Sequence, residues 1–190
     1  MSRARILQSQ RLAVTSWLAS DVDDLFVVHS DAETMRFLRQ GQPETRAETA
    51  GLVDQYMAEH AANGFTKWRL ADLDDRLVGR AGFRSHQDGR ELGYTIRRDL
   101  WGQGMATEIA AALVTWHRVI PRIALYAYVA MDNPASRRVL QKIGFDYIGR
   151  EDHSGVPCEL FRMLPSSCRR RQRAGRRQST RYRGRCRCAR

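Results

Sequence analysis

The stretch Glu91-Leu-Gly-Tyr-Thr-Ile-Arg-Arg-Asp-Leu-Trp-Gly-Gln-Gly-Met-Ala-Thr107 decides the fold. Its first half has the composition of a strand, and its second half turns at Gly102 and Gly104. An apolar stripe at helical spacing follows, made of Met105, Ile109, Leu113, Trp116 and Ile120, until Pro121 forbids continuation. Strand, glycine turn and helix in this order aim several backbone N–H groups at one point. The positive end of the helix dipole reinforces them, so a phosphate or diphosphate is the natural ligand. A Gly-x-Gly pair alone is as well read as a plain tight turn. A second stretch one strand later, Asn133-Pro-Ala-Ser-Arg-Arg-Val-Leu-Gln-Lys-Ile-Gly-Phe145, favours the phosphate reading. Asn133 is placed to cap a helix, Pro134 takes its first position, Val139, Leu140 and Ile143 form its inner face, and Gly144 ends it.

Working outward, residues 122–129 alternate, with Ile123, Leu125, Ala127 and Val129 on one side and Tyr126 and Tyr128 on the other. Residues 65–71, 76–84 and 91–97 read as an antiparallel meander turned at Asp72–Asp75 and Asp88-Gly89. Upstream, residues 11–17 read as a first strand. Ser20-Asp-Val-Asp23 starts a helix carrying Val22, Leu25 and Phe26, and a short one begins near Asp31 with Met35 and Leu38 inward. Thr45-Arg-Ala-Glu48 is a capping box opening a helix with Ala50, Val53, Met57 and Ala61 inward, stopped at Asn63-Gly64. Residues 145–151 and 158–164 supply two last strands. The expected architecture is α+β: a mixed, mostly antiparallel sheet of six to seven strands flanked by about four helices.

The net charge of +11 suggests nucleic acid until it is localised. Eleven of the 32 basic residues lie in 166–190, a segment without a single acidic residue, so 21 basic residues remain to balance the 21 acidic ones. Residues 1–165 read as one neutral domain, and 166–190 as an arginine-rich disordered tail. Such a tail can contact RNA or the ribosome weakly through phosphates, or have no role at all. Cys168, Cys186 and Cys188 share the tail, leaving Cys158 alone in the body, so neither a disulfide framework nor a zinc site is expected. The absence of a signal-like N-terminus and of a long apolar run points to the cytoplasm and away from membranes.

The phrase Trp101-Gly-Gln-Gly-Met-Ala-Thr-Glu108 resembles the cofactor motif of the GNAT-superfamily N-acetyltransferases, and in particular its RimJ/RimL-like branch. Trp101 departs from the Gln/Arg that opens the superfamily motif but is common in that branch. The resemblance covers residues 9–164 and implies the GNAT fold, with acetyl-CoA as co-substrate and no metal. It places acetyl-CoA in a notch beside Tyr94, Thr95 and Ile96, whose backbone pairs with pantetheine. Trp101, Gly102, Gln103, Gly104, Met105 and Ala106 hold the pyrophosphate, and Asn133 touches the cofactor arm while also capping its helix. Arg137, Arg138 and Lys142 either reach the nucleotide phosphates or form a solvated helix face.

Acetyl transfer needs a neutral amine and a proton for the departing thiolate. Glu91 is the candidate base, directly or through water, although a strand glutamate can equally face solvent. The superfamily's usual acid, a tyrosine seven residues after the capping asparagine, is Leu140 in this chain and cannot serve. The RimJ/RimL-like branch offers a serine three residues after the asparagine, which is Ser136; its alternative is a small residue bonding backbone. Tyr128 and Tyr147 stand in reserve, and direct attack in a ternary complex is expected. A peptide α-amine, with pKa about 7.7–8.0, is roughly one-tenth neutral at pH 7, whereas lysine at about 10.4 is almost wholly charged. A protein N-terminal α-amine is therefore the expected acceptor. A small cationic amine such as an aminoglycoside or polyamine is the alternative, requiring an acidic groove from Asp21, Asp23, Asp24, Glu151 and Asp152; a monomer or homodimer fits either.

Overall fold

The computed structural model describes residues 3–38, 41–119 and 123–165. The expected end of the helix after Gly104, at Ile120 and Pro121, and the arginine-rich tail lie outside the described residues. Eight strands form one sheet: β1 (Arg5–Gln8), β2 (Leu12–Thr15), β3 (Lys67–Asp72), β4 (Leu77–His86), β5 (Gly89–Ile96), β6 (Ala124–Ala130), β7 (Asp146–His153) and β8 (Val156–Met163). Their order across the sheet is β1-β2-β3-β4-β5-β6-β8-β7, and every neighbouring pair is antiparallel except β5 with β6. The helices are α1 (Val22–His29), α2 (Ala32–Met35), α3 (Arg46–Asn63), α4 (Met105–His117) and α5 (Pro134–Ile143).

The α+β class and its mixed sheet stand, with two corrections of detail. The sheet has eight strands, since the short edge strand β1, only four residues long and half-exposed, pairs with β2. Five helices replace about four. The inward face of α3 also turns: Thr49, Leu52, Val53 and Tyr56 are buried, while Met57 is 37% exposed and Ala61 is exposed. Alanines carry little burial free energy, so Leu52, Val53 and Tyr56, with larger apolar bodies, set the face and leave Met57 at its margin. The Thr45–Glu48 box and the glycine stops fall where the sequence puts them, but Ser20 and Asp23 form no box: a short turn, Ala19–Asp21, precedes α1, whose N-cap position is Asp21 and carries no side-chain cap hydrogen bond. Thr45 and Glu48 cap α3 reciprocally, Asn133 accepts from the Ser136 N–H at the start of α5, and Gly144 ends α5 in the left-handed region.

The sheet separates two apolar layers. On one face Trp68, Leu70, Phe83, Leu92 and Ile96 pack with Ile109, Leu113 and Leu140 from α4 and α5. On the other Trp17, Leu25, Val28, Leu52, Val53 and Tyr56 join α1 and α3 to the strands. That second face also carries charge, because Lys67, Arg80, Arg84 and Glu91 occupy alternate positions that the pleat directs to it. β3, β4 and β5 bring Lys67, Gly82 and Gly93 into one cross-strand row.

Gly82 is the tightest place in that row. Its φ is +153°, and a Cβ there would stand 2.0 Å from the Thr66 carbonyl oxygen and 2.9 Å from the Trp68 ring. Gly82→Ala is expected to destabilise the fold by roughly 2–4 kcal/mol, adding backbone strain to overpacking. A lowered urea midpoint at unchanged slope measures it, and an unmoved midpoint refutes this account of the row.

Candidate active site

β5 and β6 run parallel for three register pairs only: Gly89 with Ala124, Arg90 with Leu125, and Glu91 with Tyr126. Past Glu91 the two strands diverge, although β5 remains paired with β4 to Ile96 and β6 with β8 to Ala130. The facing edges of Leu92–Ile96 and Ala127–Ala130 thus border an open notch. It forms a cavity of about 170 Å³, and Tyr94, Thr95, Asn133 and Ser136 line it. An extended amide-bearing ligand fits such edges as an added strand does.

The phosphate end lies where β5 leaves the sheet. Gly102 and Gly104 have φ of +77° and +78°, with open space around Gly102 and only the far end of Arg11 near Gly104. The N–H groups from Gly102 through Thr107 find no acceptor among the described residues, so they are free for an anion at the start of α4. Trp101 donates from its indole to the Ile96 carbonyl at 2.8 Å, which latches the loop to the end of β5. Glu108, the last residue of the motif, braces the other side: it accepts from Ser9 Oγ at 2.7 Å, the Arg11 backbone N–H at 2.8 Å and Arg11 Nε at 2.7 Å. Arg11 in turn donates to the Gln103 carbonyl. Of the basic residues on α5, Arg137 is committed to Glu159 at 2.6 Å. Arg138 and Lys142 remain exposed.

The notch is flanked by chemistry from both faces of the sheet. Positions 91 and 94 differ by three, so the pleat sends their side chains to opposite sides. On the α4–α5 side the Tyr94 hydroxyl shares a 2.8 Å hydrogen bond with Ser136 Oγ. Burial pushes the Tyr94 phenol up to about 12, so it is a proton-bearing donor at neutral pH. Sequence reading used only the backbone of Tyr94; its side chain joins Ser136 directly.

On the α1–α3 side Glu91 is buried, accepts from Lys67 Nζ at 3.0 Å, and has its second oxygen 3.5 Å from His153 Nε2. Lys67 gets there across the two glycines of its row; a Cβ on Gly93 would meet its Cε at 2.7 Å. Burial alone would raise the Glu91 carboxyl, but Lys67, His153 and Arg84 together hold it below the usual range. Burial, with Arg80 and Arg84 adding to it, drops the Lys67 ammonium to about 8 despite Glu91. The two partners differ because burial dominates at Lys67, whereas at Glu91 the surrounding cations outweigh it. Burial also lowers His153, leaving its imidazole neutral at neutral pH. Tyr128 stacks on His153 at 3.9 Å. Tyr147 faces away, edge-on to Phe161 and 53% exposed.

Sequence reasoning missed Lys67 and His153. His153 carries no signal at its hairpin end. Lys67 does, as one of only two lysines in an arginine-rich chain. Asp21, Asp23, Asp24, Glu151 and Asp152 do not line the cavity. Arg3 and Arg69 hold Asp21, Arg46 holds Asp23, and Asp152 accepts from the Gly155 N–H in its turn.

A family model described as an acetyltransferase (GNAT) domain matches residues 11–146. The chain belongs to this family. GNAT is therefore its fold, and acetyl-CoA-dependent acyl transfer its class of activity. It is 26% identical over 150 residues, 76% of its length and 84% of the relative's, to an uncharacterized N-acetyltransferase, YoaA, of Bacillus subtilis. Two solved structures share its fold. One, from Salmonella typhimurium, is the acetyl transferase that modifies the N-terminal serine of ribosomal protein L7/L12 (20% identity, TM-score 0.71, covering 84% of this chain and 98% of that one). The other is a spermidine N-acetyltransferase from Vibrio cholerae in complex with CoA and spermine (17% identity, TM-score 0.67, 82% and 96%). Among the described residues no helix is long and apolar enough to cross a membrane, and no cluster could hold a metal ion.

Glu108→Gln removes the charge that fixes Ser9 and Arg11 against the loop. Acetyl-CoA affinity, measured calorimetrically, is expected to fall about tenfold, the worth of one charged hydrogen bond. Burial would raise the Glu108 carboxyl, but its three donors hold it below its ordinary value, so the brace is present in full above the unfolded pKa and is lost as pH falls from there through the lower folded value. Wild type should therefore lose this stability in acid and Glu108→Gln should not.

Proposed function

We propose that the chain acetylates the α-amine of a peptide or protein N-terminus, by direct attack on acetyl-CoA in a ternary complex. The observation that carries this reading is the notch itself. It offers strand edges for pantetheine, a phosphate turn at one end, and acid and base groups on opposite faces where the thioester would lie. Acetyl-CoA supplies the activated acetyl group. Tyr94, Thr95 and Ile96 provide the edge for its arm, Trp101, Gly102, Gln103, Gly104, Met105 and Ala106 the loop for its pyrophosphate, and Asn133 the adjoining helix start.

Glu91, ionised and with one oxygen turned toward His153, attracts the incoming ammonium and takes its proton, with the neutral His153 imidazole beside it as onward acceptor. The amine nitrogen bonds to the acetyl carbon and the carbon–sulfur bond breaks. Glu91 takes the second proton that the nitrogen sheds once acylated. Ser136 delivers a proton to the sulfur and is resupplied by Tyr94 across their 2.8 Å contact, and Tyr94 recovers its own from solvent. A covalent route through Cys158 is disfavoured, because burial and the carboxylates of Asp152 and Glu91 raise its thiol and keep it protonated. Modest basicity suits an α-amine, which is already partly neutral, better than lysine. The likeness to the L7/L12-modifying enzyme supports this acceptor. The likeness to the spermidine enzyme carries the alternative, but a polycation finds only one carboxylate, Glu91, among the described residues lining the cleft.

A thiol-release screen over N-terminal peptides, N-terminally blocked lysine peptides, spermidine and aminoglycosides tests the reading. Turnover confined to free N-termini is expected; turnover of spermidine but no peptide overturns it. Within the active pair, Glu91→Gln should cost about 10²-fold in kcat and Ser136→Ala a comparable factor, with acetyl-CoA affinity little changed. Lys67→Met leaves burial to act on Glu91 with one cation fewer, so its carboxyl rises. The acid limb of the kcat–pH profile is then expected at higher pH than in wild type, and a stationary limb would remove Glu91 from the base role.

A further inference from the structure

The acceptor side of the cleft is built for a negative charge. Arg84 sits on β4 directly across from Glu91, half-buried and lining the cavity, yet its side chain makes no hydrogen bond or salt bridge with any described residue. Arg80, two alternate positions back on the same face, is 7% exposed and also lines the cavity. Its Nε donates to His29 Nε2 at 3.1 Å, and His29 in turn contacts Glu44 at 2.8 Å, so the side chain is fixed from behind while its outer nitrogens bond no described residue. Lys67 adds a third cation, already shared with Glu91. Glu59 shares a neighbouring pocket with Arg84 and keeps its charge on neutral donors from Gln55 and Thr66, but it does not line this cavity. Three cations thus face one lining carboxylate among the described residues. Glu91, held ionised against its burial by Lys67, His153 and Arg84, is consistent with that excess.

We propose that the acceptor carries a carboxylate close to its reactive amine, and that Arg84, backed by Arg80, selects it. This rests on the N-terminal reading above. Arg84 lies one strand from Glu91 and Arg80 four residues farther along β4. At about 3.3 Å per residue, an anion held by either is within about 13 Å of an amine at Glu91. The carboxylate therefore belongs to one of the first four residues of an extended N-terminal segment. An uncompensated cation in a half-buried wall gives specificity in both senses, attracting acidic segments and repelling basic ones.

The test compares kcat/KM for peptides identical except for Asp, Asn or Lys at positions two and three. Wild type is expected to favour Asp over Asn by about tenfold and Asn over Lys further, the effect falling on KM. Arg84→Gln should bring the Asp-to-Asn ratio near unity, and Arg84→Glu should favour Lys. Arg80→Gln should act likewise but risks the His29 contact; Arg84, whose side chain bonds no described residue, is the variant that keeps its fold. Peptide turnover without charge preference, or a preference untouched in Arg84→Gln, overturns the proposal and leaves the N-terminal reading standing. Arg84-dependent turnover of small amines bearing a carboxylate, with every peptide inert, overturns the N-terminal reading and upholds the anion site.

Discussion

Everything at the active site follows from two parallel strands that stop pairing after three residues. β5 and β6 are each zipped to an antiparallel neighbour on the outer side, so neither can rotate to close the gap. Their inner edges keep backbone donors and acceptors, which are costly to leave unmade once water is excluded. A ligand that is itself an extended chain of amides satisfies them. The same divergence puts the starts of α4 and α5 at the mouth, because each helix follows the end of one of the two strands. The proposed phosphate turn and the proposed proton donor therefore share one geometric cause.

The second constraint is electrostatic. A buried lysine is costly unless a counter-charge accompanies it, and a buried glutamate likewise. Lys67 and Glu91 solve each other's problem, but unequally, since Arg80 and Arg84 share the wall. Glu91 gains from every cation near it and Lys67 loses to each. Glu91, the proposed base, is thus held ionised, while one oxygen stays turned toward the cleft and His153. The arginines that tilt this balance are the same side chains that leave the acceptor side positive.

The parts legible in the sequence were those written in local periodicity and end chemistry. The α4 turn, the Asn133 cap, the Thr45–Glu48 box and the Gly144 stop each depend on residues within one or two turns of each other, and each lies where that spacing puts it. Glu91, Asn133 and Ser136 reach the cleft because they flank such signals. What was not legible depends on pairing between distant strands. Short β1 has too few residues to show alternation, and β8 lies between β6 and β7, an order no local pattern encodes. The α3 face was misphased because spacing was weighed without side-chain size. Lys67 and His153 converge on Glu91 only after three separate strands are assembled.

Lys67 nonetheless left a mark that physical chemistry explains. The chain uses arginine almost everywhere a cation is wanted, so a lysine at this position marks a place where the two differ. A guanidinium is planar, branched and permanently charged. The row across Gly82 and Gly93 admits an unbranched stem, with Cε passing 2.7 Å from where a Gly93 Cβ would be, and leaves little width for a fork. An ammonium held near pKa 8 can also surrender its charge in the range where a peptide α-amine does. Lysine at 67 therefore leaves the charge beside Glu91 open to pH, which arginine, charged throughout, could not do.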